Sequence, residues 1–360
     1  MEDKIYLAAL HKLIFNHEKL FCLIDVKKNT YKDIYKNLSS DILVSIGYKK
    51  IARIQEILDN YKKFNLKKLE EKINKENIEI ISYYDENYPN QLKNIPNIPF
   101  VIYVKGKIPE GKNFGIVGSR KISSYGEKVI GKISIDLAPH FNIISGGAAG
   151  CDTKAHNEAI KNKTKTVVCL GTGIDLIYPS ENRNLYNKIA YEDKGCLLSI
   201  FPIGCPGSTF TFPIRNEIIA GLSDGIIIIE AKEKSGSLIT ARLALELNKD
   251  LFAIPGEAFN INSAGTNALI KKGEAKLVTE SKDILEEYGL EESKKGKVEI
   301  PAFSDELELN IFKNLLEKPF LADELVKKLN ISIIEINGKL SKLELLGTIF
   351  KDKNGKYAIK

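Results

Sequence analysis

The sequence predicts an α/β fold built on a mostly parallel sheet that helices cover on both faces. Between residues 114 and 256, short apolar runs recur, and each is followed by a turn rich in glycine or serine and then by a helical pattern. The runs are apolar throughout and do not alternate with polar residues, which is typical of strands buried on both faces. Strands and helices alternate at the spacing of βαβ units.

The composition limits the class of protein. A chain of 360 residues predicts two or three domains, and 53 Lys and Arg against 47 Asp and Glu give a charge of +6, which permits nucleic-acid binding without requiring it. Five scattered cysteines and four histidines lack zinc-site spacing, so we expect no metal and no cofactor. The odd cysteine count and the lack of a signal peptide predict a cytoplasmic location. No apolar run reaches the roughly 20 residues of a membrane span.

Residues 1–77 are predicted to form a helical domain, because apolar residues recur at helical spacing from Ile5 to Ile14 and a further helix is predicted over 66–77. Gly47 separates two short helical runs between Asp41 and Ile54. This pattern fits a helix-hairpin-helix that grips a DNA backbone, but we favour a small bundle in which the glycine caps a helix.

Residues 78–290 are predicted to form the sheet domain. Strand-like runs at 78–82 and 99–104 are separated by a proline-punctuated loop and are expected to extend the main sheet. The remaining predicted strands begin near Phe114, Asn142, Thr166, Gly225 and Leu251. The predicted connecting helices cover 125–138, 152–161, 181–190, 215–221, 237–248 and 267–272.

A charged linker is predicted over 291–300, and residues 301–360 are predicted to form a compact winged helix. Three helices, over 305–318, 321–329 and 332–346, precede a hairpin with Asn354-Gly355 at its turn. The expected recognition helix carries Lys339 and Lys342 but also Glu335 and Glu344. Because positive and negative residues balance on this helix, recognition of DNA and contact with another protein are equally compatible with it.

The stretch from Asn142 to Asp152 is the centre of the predicted sheet domain. Gly146, Gly147 and Gly150 follow a strand, and a helix begins near Asp152. Glycines let backbone N–H groups approach a ligand, and the helix behind them presents unpaired N–H groups and a positive dipole end. The turn therefore fits a phosphate. Its GGxxG spacing differs from the dinucleotide fingerprint, and a tight turn without a ligand is the alternative.

Other candidate binding residues follow neighbouring strands. Arg120 and Lys121 come after the strand at Gly118 and Ser119, at the edge where parallel sheets bind ligands. The stretch from Phe210 to Glu217, interpreted as a loop, combines aromatic rings with Arg215, a pairing typical of single-stranded nucleic-acid sites. Alternatively, Phe212 only packs that loop. Ser235-Gly236-Ser237 precede a helix and form a second expected anion site.

Evidence for catalysis is weak. No GxSxG motif and no acidic cluster is present. Asp152 is interpreted as a helix N-cap and His156 as a packed helix residue. The residues therefore give no positive indication of a catalytic site.

At these residues the chain resembles the DNA-processing protein A (DprA/Smf) family of bacteria over nearly its whole length. The motifs that carry the resemblance are Gly118-Ser-Arg120, Ser145-Gly-Gly147 with Gly150 and Asp152, Gly171-Thr-Gly-Ile-Asp175 with Tyr178-Pro179, Phe212-Pro-Ile-Arg-Asn216, Ser235-Gly-Ser-Leu-Ile-Thr-Ala241, Ala253-Ile-Pro-Gly256 and Gly265-Thr-Asn-Ala-Leu-Ile270.

The resemblance implies a Rossmann-like domain between an N-terminal SAM-like domain and a winged helix. It implies a protein that is not an enzyme but binds and protects single-stranded DNA, forms a homodimer and helps to load RecA recombinase in natural transformation. By motif match, Arg120, Phe212, Arg215 and Asn216 would form the DNA pocket, with Arg120 and Arg215 at the surface. Backbone amides near Gly118, Ser119 and Ser235–Ser237 would bind phosphates.

The chain departs from the family at two places. Glu217 stands where the family commonly has a second arginine, and it is expected to repel phosphate. An acidic residue common in the family is replaced near Ile200. The alternative function is a related Rossmann-like nucleoside-monophosphate hydrolase, but its PGGxGTxxE-like motif is absent. A winged-helix transcription factor is a third interpretation.

Overall fold

The computed structural model describes residues 2–25, 30–291, 303, 305–352 and 355–359. The chain divides into two compact units, Met1–Glu292 and Ser293–Lys360, and each is described by itself. The predicted linker falls almost entirely on residues 292–300, outside the described residues. In the described part of the chain, every helix is too short or too polar to cross a membrane.

The first unit begins with a group of helices, as predicted. They are α1 (Glu2–Ile14), α2 (His17–Asp25), α3 (Tyr31–Lys36), α4 (Ser40–Ser45), α5 (Ile51–Lys62) and α6 (Leu66–Lys75). Gly47 follows α4 with a φ of 88° and its N–H donates to Val44 O at 2.9 Å. This left-handed position confirms that the glycine ends a helix.

The strands of the first unit form one sheet. In chain order they are β1 (Glu79–Ser82), β2 (Val101–Gly106), β3 (Asn113–Val117), β4 (Asn142–Ser145), β5 (Thr166–Leu170), β6 (Gly195–Ser199), β7 (Gly225–Ile228), β8 (Asp250–Ala253) and β9 (Lys276–Leu277). Their spatial order is β1-β2-β6-β5-β4-β3-β7-β8-β9. The pairs from β6 to β9 are parallel, and β1 and β2 are antiparallel additions. The predicted sheet and its extension are confirmed, whereas β6 and β9 were not predicted.

Helices cover both faces of this sheet. They are α7 (Ser124–Leu137), α8 (Cys151–Lys161), α9 (Arg183–Tyr191), α10 (Thr211–Leu222), α11 (Gly236–Glu246), α12 (Ala264–Lys271) and α13 (Lys282–Leu285). Alternate residues of the central strands pack into opposite cores, as the pleat requires. In β4, Ile143 packs in the core with α7 and α8, and Ile144 packs in the core with α10 and α11.

The N-terminal helices pack directly on the sheet. Side chains of α1, α5 and α6 share a core with β2, β5 and α9. His11 of α1 bonds through Nδ1 to Tyr103 Oη of β2 at 2.9 Å. His17 accepts the Phe100 N–H at Nδ1 over 3.2 Å, and its Nε2 lies 3.1 Å from Ile200 O. The predicted domain boundary at residue 77 stays a prediction.

The second unit contains α14 (Glu306–Glu317), α15 (Ala322–Leu329), α16 (Ile333–Leu345) and a hairpin of β10 (Ile349–Lys351) and β11 (Tyr357–Ile359). Leu340 and Leu343 pack with Phe312 in its own core. The predicted order of elements is confirmed, although Asn354 of the expected turn lies outside the described residues. Lys339 and Lys342 of α16 each bind Glu308, at 3.2 and 2.8 Å.

Candidate nucleic-acid interface

A cleft of about 540 Å³ opens at the carboxyl edge of the sheet. Strands β4, β5 and β6 lie in this order on one side of β3, and β7 and β8 lie on its other side. Such a reversal between β3 and β7 leaves a crevice above the strand ends, where ligands bind in open α/β sheets. The predicted site residues that line the cleft are Gly118, Arg120, Phe212, Arg215, Asn216, Ser235, Gly236 and Ser237. Ser119, Lys121, Gly146 and Gly147 are not among its lining residues.

The stretch that carries Phe212 is helical. The sequence interpretation of 210–217 as a loop is wrong, because α10 begins at Thr211. Pro213 falls in the first turn of α10, where a missing N–H costs no helical hydrogen bond. Phe212, Arg215 and Asn216 stand three and four residues apart, so they share one face of the helix. The helix therefore brings the three predicted DNA-binding side chains together at the cleft.

The Phe212 ring is held in a fixed position. A Cβ built on Gly171 would lie 2.5 Å from its Cδ1, and one on Gly207 would lie 2.9 Å from its Cζ. The Tyr178 ring packs beside it, with centroids 5.6 Å apart. The ring remains partly exposed. It is thus a rigid aromatic surface of the kind on which an unpaired base stacks.

Arg120 is the exposed cation of the cleft. Its guanidinium carbon lies 5.6 Å from the centroid of the Phe212 ring. The backbone beneath it is fixed, because a Cβ on Gly150 (φ 82°) would lie 2.4 Å from Ser119 O, and the Cys151 N–H donates to that oxygen at 3.1 Å. Lys121 is also exposed, at the rim, and its N–H donates to Ser119 Oγ at 3.1 Å.

Arg215 is buried, so the expectation that it is a surface residue is wrong. Only 6% of it is exposed. Its Nη1 donates to the carbonyl oxygens of Gly146 and Cys169, the latter at 2.7 Å, and its Nε donates to Asn216 Oδ1 at 3.2 Å. Arg215 thus ties α10 to the ends of two strands and forms the floor of the cleft.

Asp152 is the charge partner of Arg215. Burial raises the pKa of Asp152, and the Arg215 guanidinium opposes that rise. Burial lowers the pKa of Arg215, and Asp152 opposes that change in turn. Asp152 is not the N-cap that the sequence predicted, since Gly150 takes that position. Its Oδ2 instead accepts the Ala148 N–H at 3.2 Å.

The turn at Gly146 and Gly147 lies beneath the cleft and is filled by the protein's own side chains. Both residues are buried. A Cβ on Gly146 would lie 2.6 Å from Arg215 Nη1, and one on Gly147 would lie 2.3 Å from Tyr186 Oη. Tyr186 also donates to Gly147 O at 2.9 Å. These glycines are needed for the close approach of Arg215 and Tyr186, so the structure does not place them against a ligand.

The N-terminus of α11 forms the opposite wall. Ser235 is its N-cap, and Ser235 Oγ accepts the Ser237 N–H at 3.3 Å and lies 2.7 Å from Ser237 Oγ. Asn216 Nδ2 donates to Gly236 O at 3.4 Å, which joins this wall to α10. Because a helix N-terminus carries partial positive charge and unpaired N–H groups, this wall favours a phosphate.

Glu217 faces away from the cleft, so the expectation that it repels phosphate is wrong. It follows Arg215 by two residues and therefore lies on the opposite side of α10. It is 8% exposed. Its two oxygens accept the Asn97 N–H at 3.1 Å and Asn97 Nδ2 at 2.9 Å.

His156, the remaining candidate for a catalytic role, is part of the packed interior. His156 is fully buried, and its Nδ1 lies 2.7 Å from Thr166 Oγ1, which confirms that it is a packed helix residue. Among the residues that the structure describes, no His, Cys, Asp and Glu side chains are grouped as metal ligands. Ser208, Thr209 and Thr240 also line the cleft, although the sequence analysis did not single them out. Isolated Ser and Thr residues give no signal at sequence level.

Residues 79–289 match the family described as DNA recombination-mediator protein A. The chain is similar to Protein Smf of Synechocystis sp., at 32% identity over 351 residues that cover 86% of this chain and 87% of the relative. It is 41% identical over 209 residues to DNA processing protein DprA of Streptococcus pneumoniae, covering 58% and 73% of the two chains.

Two solved structures are similar to this one. The X-ray structure of DNA processing protein A from S. pneumoniae has a TM-score of 0.67 and 33% identity, covering 78% of this chain and 97% of that one. DNA processing protein A from Helicobacter pylori has a TM-score of 0.53 and 28% identity, covering 59% and 95%. The description of the H. pylori structure concerns its single-stranded DNA binding mode.

Proposed function

The chain belongs to the DNA recombination-mediator protein A family, and on this basis we propose that it binds single-stranded DNA in the cleft around Phe212 and Arg120. The observation that carries the proposal is the stack of an exposed guanidinium on a fixed, partly exposed aromatic ring. The ring offers a surface to any base, and the guanidinium offers a charge to the adjacent phosphate. Such a pair binds strands with little preference for sequence.

The residues in and around the cleft have different roles. Arg120, Lys121 and the backbone amides at Gly118, Ser119 and Gly236 bind phosphates in this proposal, since they provide positive charge at the rim. The N–H groups of Ser235 and Ser237 already donate to Lys232 O and Ser235 Oγ, so these two serines shape the wall around Gly236. Phe212 stacks on a base. Arg215 and Asn216 hold the floor and walls in position, because their polar groups already bond to the protein. This division replaces the expectation that Arg215 contacts phosphate at the surface.

We further propose that the protein protects incoming DNA during transformation and helps to load RecA recombinase. The support is membership of a recombination-mediator family and similarity to DNA processing proteins. In the same proposal the protein is a cytoplasmic homodimer with an N-terminal SAM-like domain and a C-terminal winged helix. Lys339 and Lys342 bind Glu308, which favours the cleft over α16 as the main DNA site.

A binding role also fits the chemistry of the cleft better than hydrolysis does. Asp152, its lining carboxylate, accepts the Ala148 N–H and is stabilised in its charged form by the positive charge of Arg215. A carboxylate committed in this way is poorly placed to activate water.

Fluorescence anisotropy with a labelled oligothymidylate and a blunt duplex of equal length tests the proposal. We expect a clear preference for the single strand and a log–log salt slope of about −0.7 per phosphate neutralised. Incubation with nucleoside monophosphates, followed by chromatography for free base, tests the hydrolase alternative. Equal affinity for the duplex, or release of base, would contradict the proposal.

A further inference from the structure

A second groove, of about 490 Å³, lies between the N-terminal helices and the loop that follows β6. We call it the lysine groove, and it is lined by Lys12, Leu13, Asn60, Lys63, Phe64, Asn65, Lys68, Leu69, Lys72, Ile203 and Gly204. Four lysines and no acidic residue are in this set. The groove therefore carries concentrated positive charge next to one partly exposed aromatic ring, Phe64.

Only one of the four lysines is neutralised within the described residues. Lys72 pairs with Asp175, whose side chain is completely buried, and Asp175 also accepts the Gly204 N–H at 2.7 Å. Lys12, Lys63 and Lys68 are exposed and have no carboxylate within 4.0 Å in the part of the chain that the structure describes. Within the described residues, three lysines without a carboxylate partner thus line one groove.

The lysine groove and the cleft border the same two loops. Gly207 touches the Phe212 ring, and Gly204 borders the lysine groove, so three peptide units separate the sites along this loop, at most about 11 Å. On the neighbouring loop, Gly171 touches Phe212 and Asp175 binds Lys72. The Gly173 N–H donates to Cys205 O at 2.8 Å, which joins the two loops. The cleft and the lysine groove therefore adjoin each other along this pair of loops.

We propose that the lysine groove binds the sugar–phosphate backbone of the single strand whose base stacks on Phe212. This inference rests on the function proposed above and extends the site beyond the cleft. Lysines spaced along an open groove act as separate point charges. Such charges suit a flexible polyanion, whereas a single small phosphate binds best where several donors converge on it. The proposal makes affinity depend on strand length, because only strands longer than the cleft reach the groove.

The test compares a triple variant, Lys12→Gln/Lys63→Gln/Lys68→Gln, with a matched control, Lys128→Gln/Lys132→Gln/Lys188→Gln, which removes the same charge from exposed positions on α7 and α9. Anisotropy is measured with an oligothymidylate length series at several salt concentrations. For long strands, loss of three phosphate contacts makes the salt slope shallower by about 2 in the triple variant. The shortest strand that binds, and the control variant, keep their wild-type values.

A second measurement uses the unmodified protein. A long oligothymidylate with 4-thiothymidine near one end is irradiated, and the crosslinked peptides are mapped. We expect crosslinks within 60–72 in addition to those near Phe212. Equal loss for short and long strands, equal loss in the control, or crosslinks confined to the cleft would overturn the inference while leaving the cleft function intact. If the wild type binds no strand of any length, both proposals fail.

Discussion

The guanidinium carbon of Arg120 and the ring of Phe212 lie 5.6 Å apart although the two residues are 92 positions apart in sequence. Arg120 follows β3, and Phe212 lies in the first turn of α10. The reversal of strand order between β3 and β7 brings both to one cleft. The cation is exposed and the ring is fixed. Their contact therefore separates two contributions to binding, charge and stacking, that substitutions can measure one at a time.

Arg120→Ala is expected to weaken single-strand binding by roughly 1.5–3 kcal/mol, the usual range for a hydrogen bond to a charged group. The salt slope should fall by about 0.7, as one phosphate contact is lost. The melting temperature should stay constant, since the side chain is exposed. Anisotropy and thermal denaturation measure both effects. Arg242→Ala removes an equally charged, exposed side chain of α11 and serves as the control. A loss of stability without a loss of affinity would make Arg120 structural.

Phe212→Ala is expected to weaken binding by roughly 1–3 kcal/mol through lost stacking, with no change in the salt slope. An unchanged slope distinguishes it from Arg120→Ala, because the ring neutralises no phosphate. Phe212→Tyr keeps an aromatic face and should retain most of the affinity. A salt slope that changes as much as in Arg120→Ala would contradict the assigned role of the ring.

Arg215→Met is expected to destabilise the first unit by about 3–5 kcal/mol, because it leaves Asp152 buried without its counter-charge. Urea denaturation followed by circular dichroism measures this. Adding Asp152→Asn should recover part of the loss, since it removes the uncompensated carboxylate. If Arg215→Met keeps its stability but loses affinity, the guanidinium contacts DNA directly.

Glu217→Ala is expected to leave DNA affinity unchanged and to lower stability. It removes two hydrogen bonds from Asn97 to a carboxylate, each worth roughly 1.5–3 kcal/mol. Salt-dependent anisotropy and urea denaturation test the two halves of this expectation. Tighter binding with a steeper salt slope would instead place Glu217 on the DNA path.

Stability of the first unit is expected to fall as the pH drops below about 6.5. Burial lowers the pKa of His17 to about 4 and that of His156 to about 3, from an ordinary 6.5. The unfolded chain therefore binds more protons than the folded one from pH 6.5 down to those values, which favours unfolding by at most about 1.4 kcal/mol per pH unit for each ring.

Urea denaturation between pH 7.5 and 4.5 checks this dependence. His17→Gln should make the decline shallower, since it removes one of the three buried rings, those of His11, His17 and His156, whose pKa is lowered by burial. His140→Gln removes a histidine that lies elsewhere, bonded to Glu291 O at 3.1 Å, and is the control. A stability that stays constant from pH 6.5 to 4.5 would contradict the prediction.

The parallel sheet could be predicted because its strands are apolar runs followed by glycine or serine turns. β6 could not, since Gly195–Ser199 has only three apolar residues in a row and gains its identity from pairing between β2 and β5. The helical start of α10 was missed because Pro213 and the aromatic residues around it suggest a loop. If the spacing of Phe212, Arg215 and Asn216 had been interpreted as helical, Glu217 would have been predicted on the opposite side of the helix from these three residues.

Motif resemblance singled out residues that the structure brings together at one cleft, but it did not predict their burial. The depth of Arg215 depends on carbonyl oxygens of Gly146, which follows β4, and Cys169, which lies near the end of β5, and both are far from Arg215 in sequence. Likewise, the three glycines near residue 147 predict a close approach without indicating what approaches. In the structure, the groups that approach these glycines are the side chains of Arg215 and Tyr186. The sequence alone was equally compatible with a bound phosphate and with a tight turn without a ligand.

The glycines that enclose Phe212 also have a consequence for the timing of binding. A ring confined by Gly171 and Gly207 has no rotamer search to complete when a base arrives, so little ordering entropy is spent at that moment. Encounter is then limited by diffusion and by the charge around Arg120. Differences between bases are expressed in the residence time of the strand and not in its arrival rate. If the cleft binds DNA as proposed, we expect it to capture any exposed strand quickly and to distinguish strands by how long each stays bound.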